Sequence, residues 1–209
     1  LCTHDTAIRE NEVLRALRSA SKAGRAPDAT WLSRRLLEKS DLKTTTTHAV
    51  HTLMLESLLY SNDPGSLLFM ERLVAGTKNG HHVVTTFPRN CESLKLLLRK
   101  CCQSGAPGRR AQGIFERMMM PVQPDAECVH LVVMTYLQEE EQTLRIVKSA
   151  DRFVRRCALE IGLHPWSSSP SDCRILEQVL EAYCALDENN ALHSADDLFR
   201  FLLIQHRNR

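Results

Sequence analysis

Six basic residues are spaced so that they could hold a run of phosphates. Arg15, Arg18 and Lys22 fall in one predicted helix, ENEVLRALRSASKAG, and Lys95, Arg99 and Lys100 fall in another, CESLKLLLRKCC. Each of these helices opens a helical hairpin, so a groove lined by first helices would display all six. Cationic side chains facing phosphates release condensed counterions and bind the backbone without reading sequence. A single cation on such a helix is ordinarily a solvated surface charge. Recurrence of the set in two hairpins is what points to phosphate contact. Arg109 and Arg110 fall in a turn between helices and read as edge charges.

Other reactive residue types lack the spacing their chemistry needs. His48 and His51 are three apart on a helix and His81 and His82 are adjacent, but zinc wants four converging ligands. No cysteine pair stands at ligand spacing beside them, so these histidines read as solvated or capping, and no metal is expected. Cys101 and Cys102 lack a neighbouring base and read as core rather than nucleophile. Glu139–Glu141 are consecutive, and consecutive helix residues diverge by about 100°, so they read as a solvated helix end. Met118–Met120 close a helix and read as packing against the next element. The sequence contains no Gly-rich phosphate loop, no Ser-His-Asp order and no deaminase signature. Binding rather than catalysis is expected, with no cofactor. An enzyme site in the Thr77–Asn90 insertion is kept as a separate class, since fold does not decide function.

Charge is unevenly distributed over the 209 residues, whose formal net charge is only +2. Residues 1–125 carry 18 Lys and Arg against 12 Asp and Glu, whereas residues 126–209 carry nine against 13. The basic first part is therefore the expected site of any nucleic-acid contact, and Glu177 and Glu181 would repel phosphates. Eight cysteines without a CxxC pair, in a chain this rich in helical pattern, suit a reduced compartment. Cys101, Cys102, Cys128, Cys157 and Cys184 fall at apolar helix positions. No run approaches the length of a membrane span. The chain begins at Leu1 rather than Met and reads as a fragment of a longer protein, so the lack of a targeting segment is uninformative.

The elements that would position the cations follow from apolar spacing. Leu94, Leu97, Leu98, Cys101 and Cys102 recur at helical intervals, Gly105, Pro107 and Gly108 break the chain, and Ala111, Ile114, Phe115 and Met118 resume it. Pro121 and Pro124 stop the second helix. The first-helix spacing recurs as Val13, Ala16, Leu17 and Ala20, with Gly24 aligned to Gly105. It recurs again as Val129, Val132, Val133, Tyr136 and Leu137, and as Leu176, Val179, Leu180, Tyr183 and Cys184. Asp28 is placed to cap the second helix and Thr44–Thr47 to open the third. The helix after Glu141 is expected over about Thr143–Ile161, and HPWSSSPSD is read as a loop. One hairpin cannot bury its apolar face alone, so the prediction is a stack. It comprises ten helices in five hairpins, approximately 10–40, 44–90, 91–125, 126–172 and 173–209, forming a single domain over 1–209.

Cys91–Asp125 resembles the pentatricopeptide repeat family, a helical hairpin of about 35 residues related to the tetratricopeptide repeat. The likeness rests on the Ser104-Gly105 turn, RAQGIFERM in the second helix and the Pro124-Asp125 ending. The resemblance implies an all-α fold, a right-handed α-solenoid of about five such hairpins whose first helices line a concave groove. It also implies binding of single-stranded RNA in mitochondria or chloroplasts, in RNA processing, stability or translation. In that family the second residue of a repeat sandwiches a base and the fifth bonds a base edge. Here the second residues are Asn11, Glu92, Glu127 and Arg174, and the fifth are Leu14, Lys95, His130 and Glu177. The final acid matches at Asp125 and Asp172. Weak sequence preference is therefore expected, with Lys95, Arg99, Lys100, Arg15, Arg18, Lys22, His130 and Asp125 as candidate contacts. The alternative partner is a protein, its peptide or helix held in the same groove by a tetratricopeptide-like scaffold. No membrane partner is expected.

Overall fold

The computed structural model describes residues 12, 14–37, 44–75, 89–120, 122–160, 170–186 and 188–207. Among them are ten helices and no strand, the all-α class expected. Helix α1 covers residues 14–22. It is followed by α2 (Ala26–Leu37), α3 (Thr44–Leu59), α4 (Ser66–Ala75), α5 (Cys91–Gln103) and α6 (Gly108–Met119). The last four are α7 (Ala126–Leu137), α8 (Leu144–Glu160), α9 (Pro170–Ala185) and α10 (Asn189–Arg207). No helix among the described residues is long and apolar enough to cross a membrane. Two compact units divide the chain, Leu1–Lys100 and Cys101–Arg209. The boundary falls inside α5, within the third predicted hairpin.

Two glycines end first helices in the same way. Gly24 and Gly105 take φ of +64° and +62°, a left-handed conformation in which a Cβ is strained. Behind Gly24, the Arg25 amide donates to the Ala20 carbonyl at 3.0 Å; behind Gly105, the Ala106 amide donates to Cys101 at 3.0 Å. Each glycine thereby closes α1 or α5 and turns the chain into its partner helix. Pairing Gly24 with Gly105 by sequence thus identifies one local structure used twice.

In the first unit, α2 packs on α3 and α3 on α4. Leu17, Ala20, Ala29 and Val50 form a fully buried cluster edged by Leu14, Leu32 and Leu53. Helix α2 begins at Ala26, so Asp28 lies in its first turn rather than at the cap. There its carboxylate still favours the positive helix end, 3.6 Å from Arg25. Helix α3 begins at Thr44 itself. Asp63 Oδ1 accepts from the Gly65 amide at 2.9 Å and shapes the α3–α4 turn. Asn90 Oδ1 accepts from the Ser93 amide at 2.9 Å and caps α5. Apart from Arg89 and Asn90, the Thr77–Asn90 insertion lies outside the described residues, as do His81 and His82.

In the second unit each helix from α6 to α9 packs on its successor, and α7 also packs on α9 and α8 on α10. Such next-but-one contacts arise when consecutive hairpins stack with first helix against first helix and second against second. The anticipated apolar residues of α6, Ala111, Ile114, Phe115 and Met118, are all buried. Phe115 meets the edge of Phe153 from α8, with centroids 5.2 Å apart and planes at 83°. Val129, Val132, Val133 and Tyr136 are buried in α7, and Leu176, Val179 and Tyr183 in α9. Leu137 and Leu180 are only half-buried, while Ala16 in α1 and Cys184 in α9 are exposed. These four lie at the margin of their apolar arcs, where the burial pattern tightens to a narrower face than spacing alone suggests. Helix α9 begins at Pro170, earlier than a loop over HPWSSSPSD would allow. Proline fits a helix start because its missing amide would have no partner there.

Candidate nucleic-acid interface

Helix α1 carries the clearest cationic surface of the first unit. Arg15, Arg18 and Lys22 are all exposed. Their intervals of three and four put them on one face of the helix. Leu17 and Ala20, completely buried, anchor the opposite side in the α1–α2–α3 core. The result is a row of solvated cations on a fixed support, suited to tracking a polyanion.

Helix α5 behaves differently. Lys95 and Arg99 are half-buried, and both already engage in interactions within the protein. Lys100 leaves the phosphate-facing set altogether, because its side chain is buried. Its ammonium donates to the Leu59 carbonyl at 3.1 Å and the Ser61 carbonyl at 2.6 Å. Burial lowers its pKa and nearby Asp63 opposes that shift. Lys100 therefore neutralises the carbonyl-rich C-terminal end of α3, a structural task for a lysine.

His130 and Asp125 are likewise placed by the fold. His130 is half-buried on α7, and its Nδ1 is buried without a hydrogen bond. Burial and then Arg174 lower its pKa, against a smaller opposing effect of Glu127, so the ring is neutral near pH 7 and adds no positive charge. Asp125 is the N-cap of α7, its carboxylate accepting from the Cys128 amide at 3.1 Å. Among the second and fifth repeat positions, Glu92, Arg174 and Glu177 are exposed, and Leu14, Lys95, Glu127 and His130 are half-buried.

The second unit holds two clefts that charge counting by halves does not reveal. The first, about 400 Å³, is lined by Arg109, Gln112, Glu116, Tyr136, Arg152 and Arg156, among others. Its floor is an ordered polar chain. Tyr136 Oη donates to Gln112 Oε1 at 2.6 Å, and Gln112 Nε2 donates to Glu116 Oε1 at 2.7 Å. Arg156 Nη2 donates to the same Glu116 oxygen, from the far wall. The bond from Gln112 and then that from Arg156 hold the Glu116 carboxyl below its ordinary pKa. Burial pushes the Tyr136 hydroxyl up. Gly108 is required here, since a Cβ would lie 2.2 Å from the Tyr136 ring. Its amide donates to Glu139 Oε1 at 2.8 Å, so Glu139 caps α6 instead of ending a helix in solvent.

The second cleft, about 530 Å³, lies among α8, α9 and α10 and includes Lys148, Arg152, Arg155, Tyr183, Arg200 and Phe201. Asp151 organises it. Tyr183 Oη donates to Asp151 Oδ2 at 2.9 Å, and Arg155 Nε donates to Oδ1 at 2.6 Å. Arg155 also lies over the Phe201 ring, 5.0 Å from its centroid.

No known family, curated protein or solved structure matches this chain. The signal for the two clefts was present in the sequence as α8's Arg145, Lys148, Arg152, Arg155 and Arg156, which share one helical face. Over residues 126–209 as a whole, acids on other helices outnumber them.

Proposed function

We propose that this chain is a pentatricopeptide-like, right-handed α-solenoid of about five hairpins that binds single-stranded RNA through its phosphates. It acts by binding rather than catalysis, in mitochondrial or chloroplast RNA metabolism, the setting implied by the resemblance at Cys91–Asp125. The observation that carries the RNA reading is the exposed row of Arg15, Arg18 and Lys22 on a buried apolar support. Next-but-one packing of α7 on α9 and α8 on α10 supports the stacked-hairpin architecture. Among the described base-facing positions of the repeat, all but Arg174 are half-buried or acidic, which favours backbone contact over base readout. Lys95 and Arg99 would supplement α1 only after leaving their present interactions.

The test is fluorescence anisotropy of a labelled, unstructured oligoribonucleotide over a salt series. Substituting Arg15, Arg18 and Lys22 together by Ser should lower the log–log salt slope by about 2, at ~0.7 for each phosphate neutralised on a single strand. An unchanged slope would remove α1 from the interface, and absence of binding by the parent would end the RNA reading. A second reading, a protein scaffold, is favoured by one observation. Leu192, Phe199, Leu203 and Ile204 are exposed on α10. Salt-insensitive binding of a defined partner helix, abolished in Phe199→Ser, would support that reading.

A further inference from the structure

We propose that the second unit has its own phosphate track, running along α8 through both clefts and gripping adjacent phosphates of single-stranded RNA. This rests on the RNA reading above, but it assigns a different surface, built from second helices. Arg145, Lys148, Arg152, Arg155 and Arg156 occupy one arc of α8 spanning about 100°, from 100° per residue. The opposite arc holds Val147, Ala150, Val154 and Cys157, all buried, so the helix cannot roll to hide its cations. Both clefts open on this arc and share Arg152.

The charge balance of each cleft is positive. Arg109, Arg152 and Arg156 face Glu116 in the first, and Lys148, Arg152, Arg155 and Arg200 face Asp151 and Asp197 in the second. Several of these cations are committed to the protein. Arg156 is tied to Glu116 and Glu160, Arg155 to Asp151, and Arg200 to Asp196. Among the described residues, no carboxylate pairs with Arg109, Lys148 or Arg152. The committed guanidiniums shape the walls and the uncommitted cations are left to meet a ligand. Lys148 and Arg152 stand one turn apart, about 6 Å along the helix axis, and Arg156, paired with Glu116 and Glu160, continues the row by one more turn. That regular spacing suits a polymer carrying an anion at every step. The rings of Tyr136, Phe153 and Tyr183 are buried in the core and Arg155 lies over the half-buried Phe201 ring, so the clefts offer phosphate contacts rather than base stacking.

The experiment compares the full chain with an Arg109→Gln, Lys148→Gln, Arg152→Gln variant and with the α1 triple serine variant. A labelled oligouridine is titrated with salt, and each variant is first checked for parental helicity and Tm. The α8 variant should lower the salt slope by about 2, at ~0.7 for each phosphate that is no longer neutralised. Parental binding by this folded variant, with weakening confined to the α1 variant, would overturn the α8 track and leave the RNA proposal standing. Failure of the parent to bind oligouridine would overturn both. Binding of polyglutamate instead, abolished in the α8 variant, would also overturn both and make α8 a site for acidic protein. Substituting Arg110, which lines neither cleft, should leave the slope unchanged, whereas loss of one phosphate contact would lower it by ~0.7.

Discussion

Acid should destabilise the first unit through His51, and the size of the effect follows from its burial. His51 lies in α3 with 2% of its surface exposed. Burial, and secondarily His48 one turn earlier, depress its pKa from 6.5 to about 4. The neutral ring is therefore the native form, while the unfolded chain takes up a proton below pH 6.5. Stability must fall as pH falls from about 6.5 to about 4, and this contribution levels off below that range. Each tenfold change in proton affinity is about 1.4 kcal/mol, so the gap from 6.5 to about 4 corresponds to about 3 kcal/mol. The assay is urea unfolding followed by circular dichroism, for the parent and His51→Leu, in steps between neutral pH and pH 4. Titrations common to both proteins cancel in the difference. The parent should lose about 3 kcal/mol more than the variant over that range. A difference constant with pH would mean that His51 is solvated, and would refute the packing of α3.

Further outcomes follow from single sites. Gly105→Ala should cost about 1–2 kcal/mol, because its φ is +62° but its surroundings are open. Gly24→Ala should cost more, since its Cβ would also lie 2.9 Å from the Tyr60 carbonyl oxygen; equal destabilisation in thermal unfolding would contradict the close approach of Gly24 to Tyr60. Phe115→Ala should destabilise by about 3–5 kcal/mol and Leu98→Ala by about 2–5 kcal/mol, both side chains being fully buried. Tyr183→Phe should cost about 1–3 kcal/mol by removing a donor from buried Asp151; unchanged stability would mean water replaces the hydroxyl.

Helix positions were largely legible because their signals are local. The span of α8, expected over Thr143–Ile161, is observed as Leu144–Glu160. Turn glycines at Gly24 and Gly105 were legible because few other residues accept their backbone conformation. The fate of individual charges was less legible, because it depends on partners remote in sequence. Lys100 reads as one more surface cation until it reaches carbonyls 39 and 41 residues earlier. Glu139 reads as a solvated acid until the α6 terminus, 31 residues before it, supplies an amide. His130 could be placed on a first helix, but not its buried nitrogen or its proximity to Arg174. The cationic face of α8 is a local pattern and was readable, yet summing charge over residues 126–209 hid it beneath acids on other helices.

Backbone recognition is tested most directly by the parent's affinity for two unstructured oligoribonucleotides of equal length and different sequence, measured across a salt series. Backbone recognition predicts two nearly parallel lines, steep in salt and separated by little in affinity. No binding at low salt, or a strong preference for one sequence that persists at high salt, would contradict it.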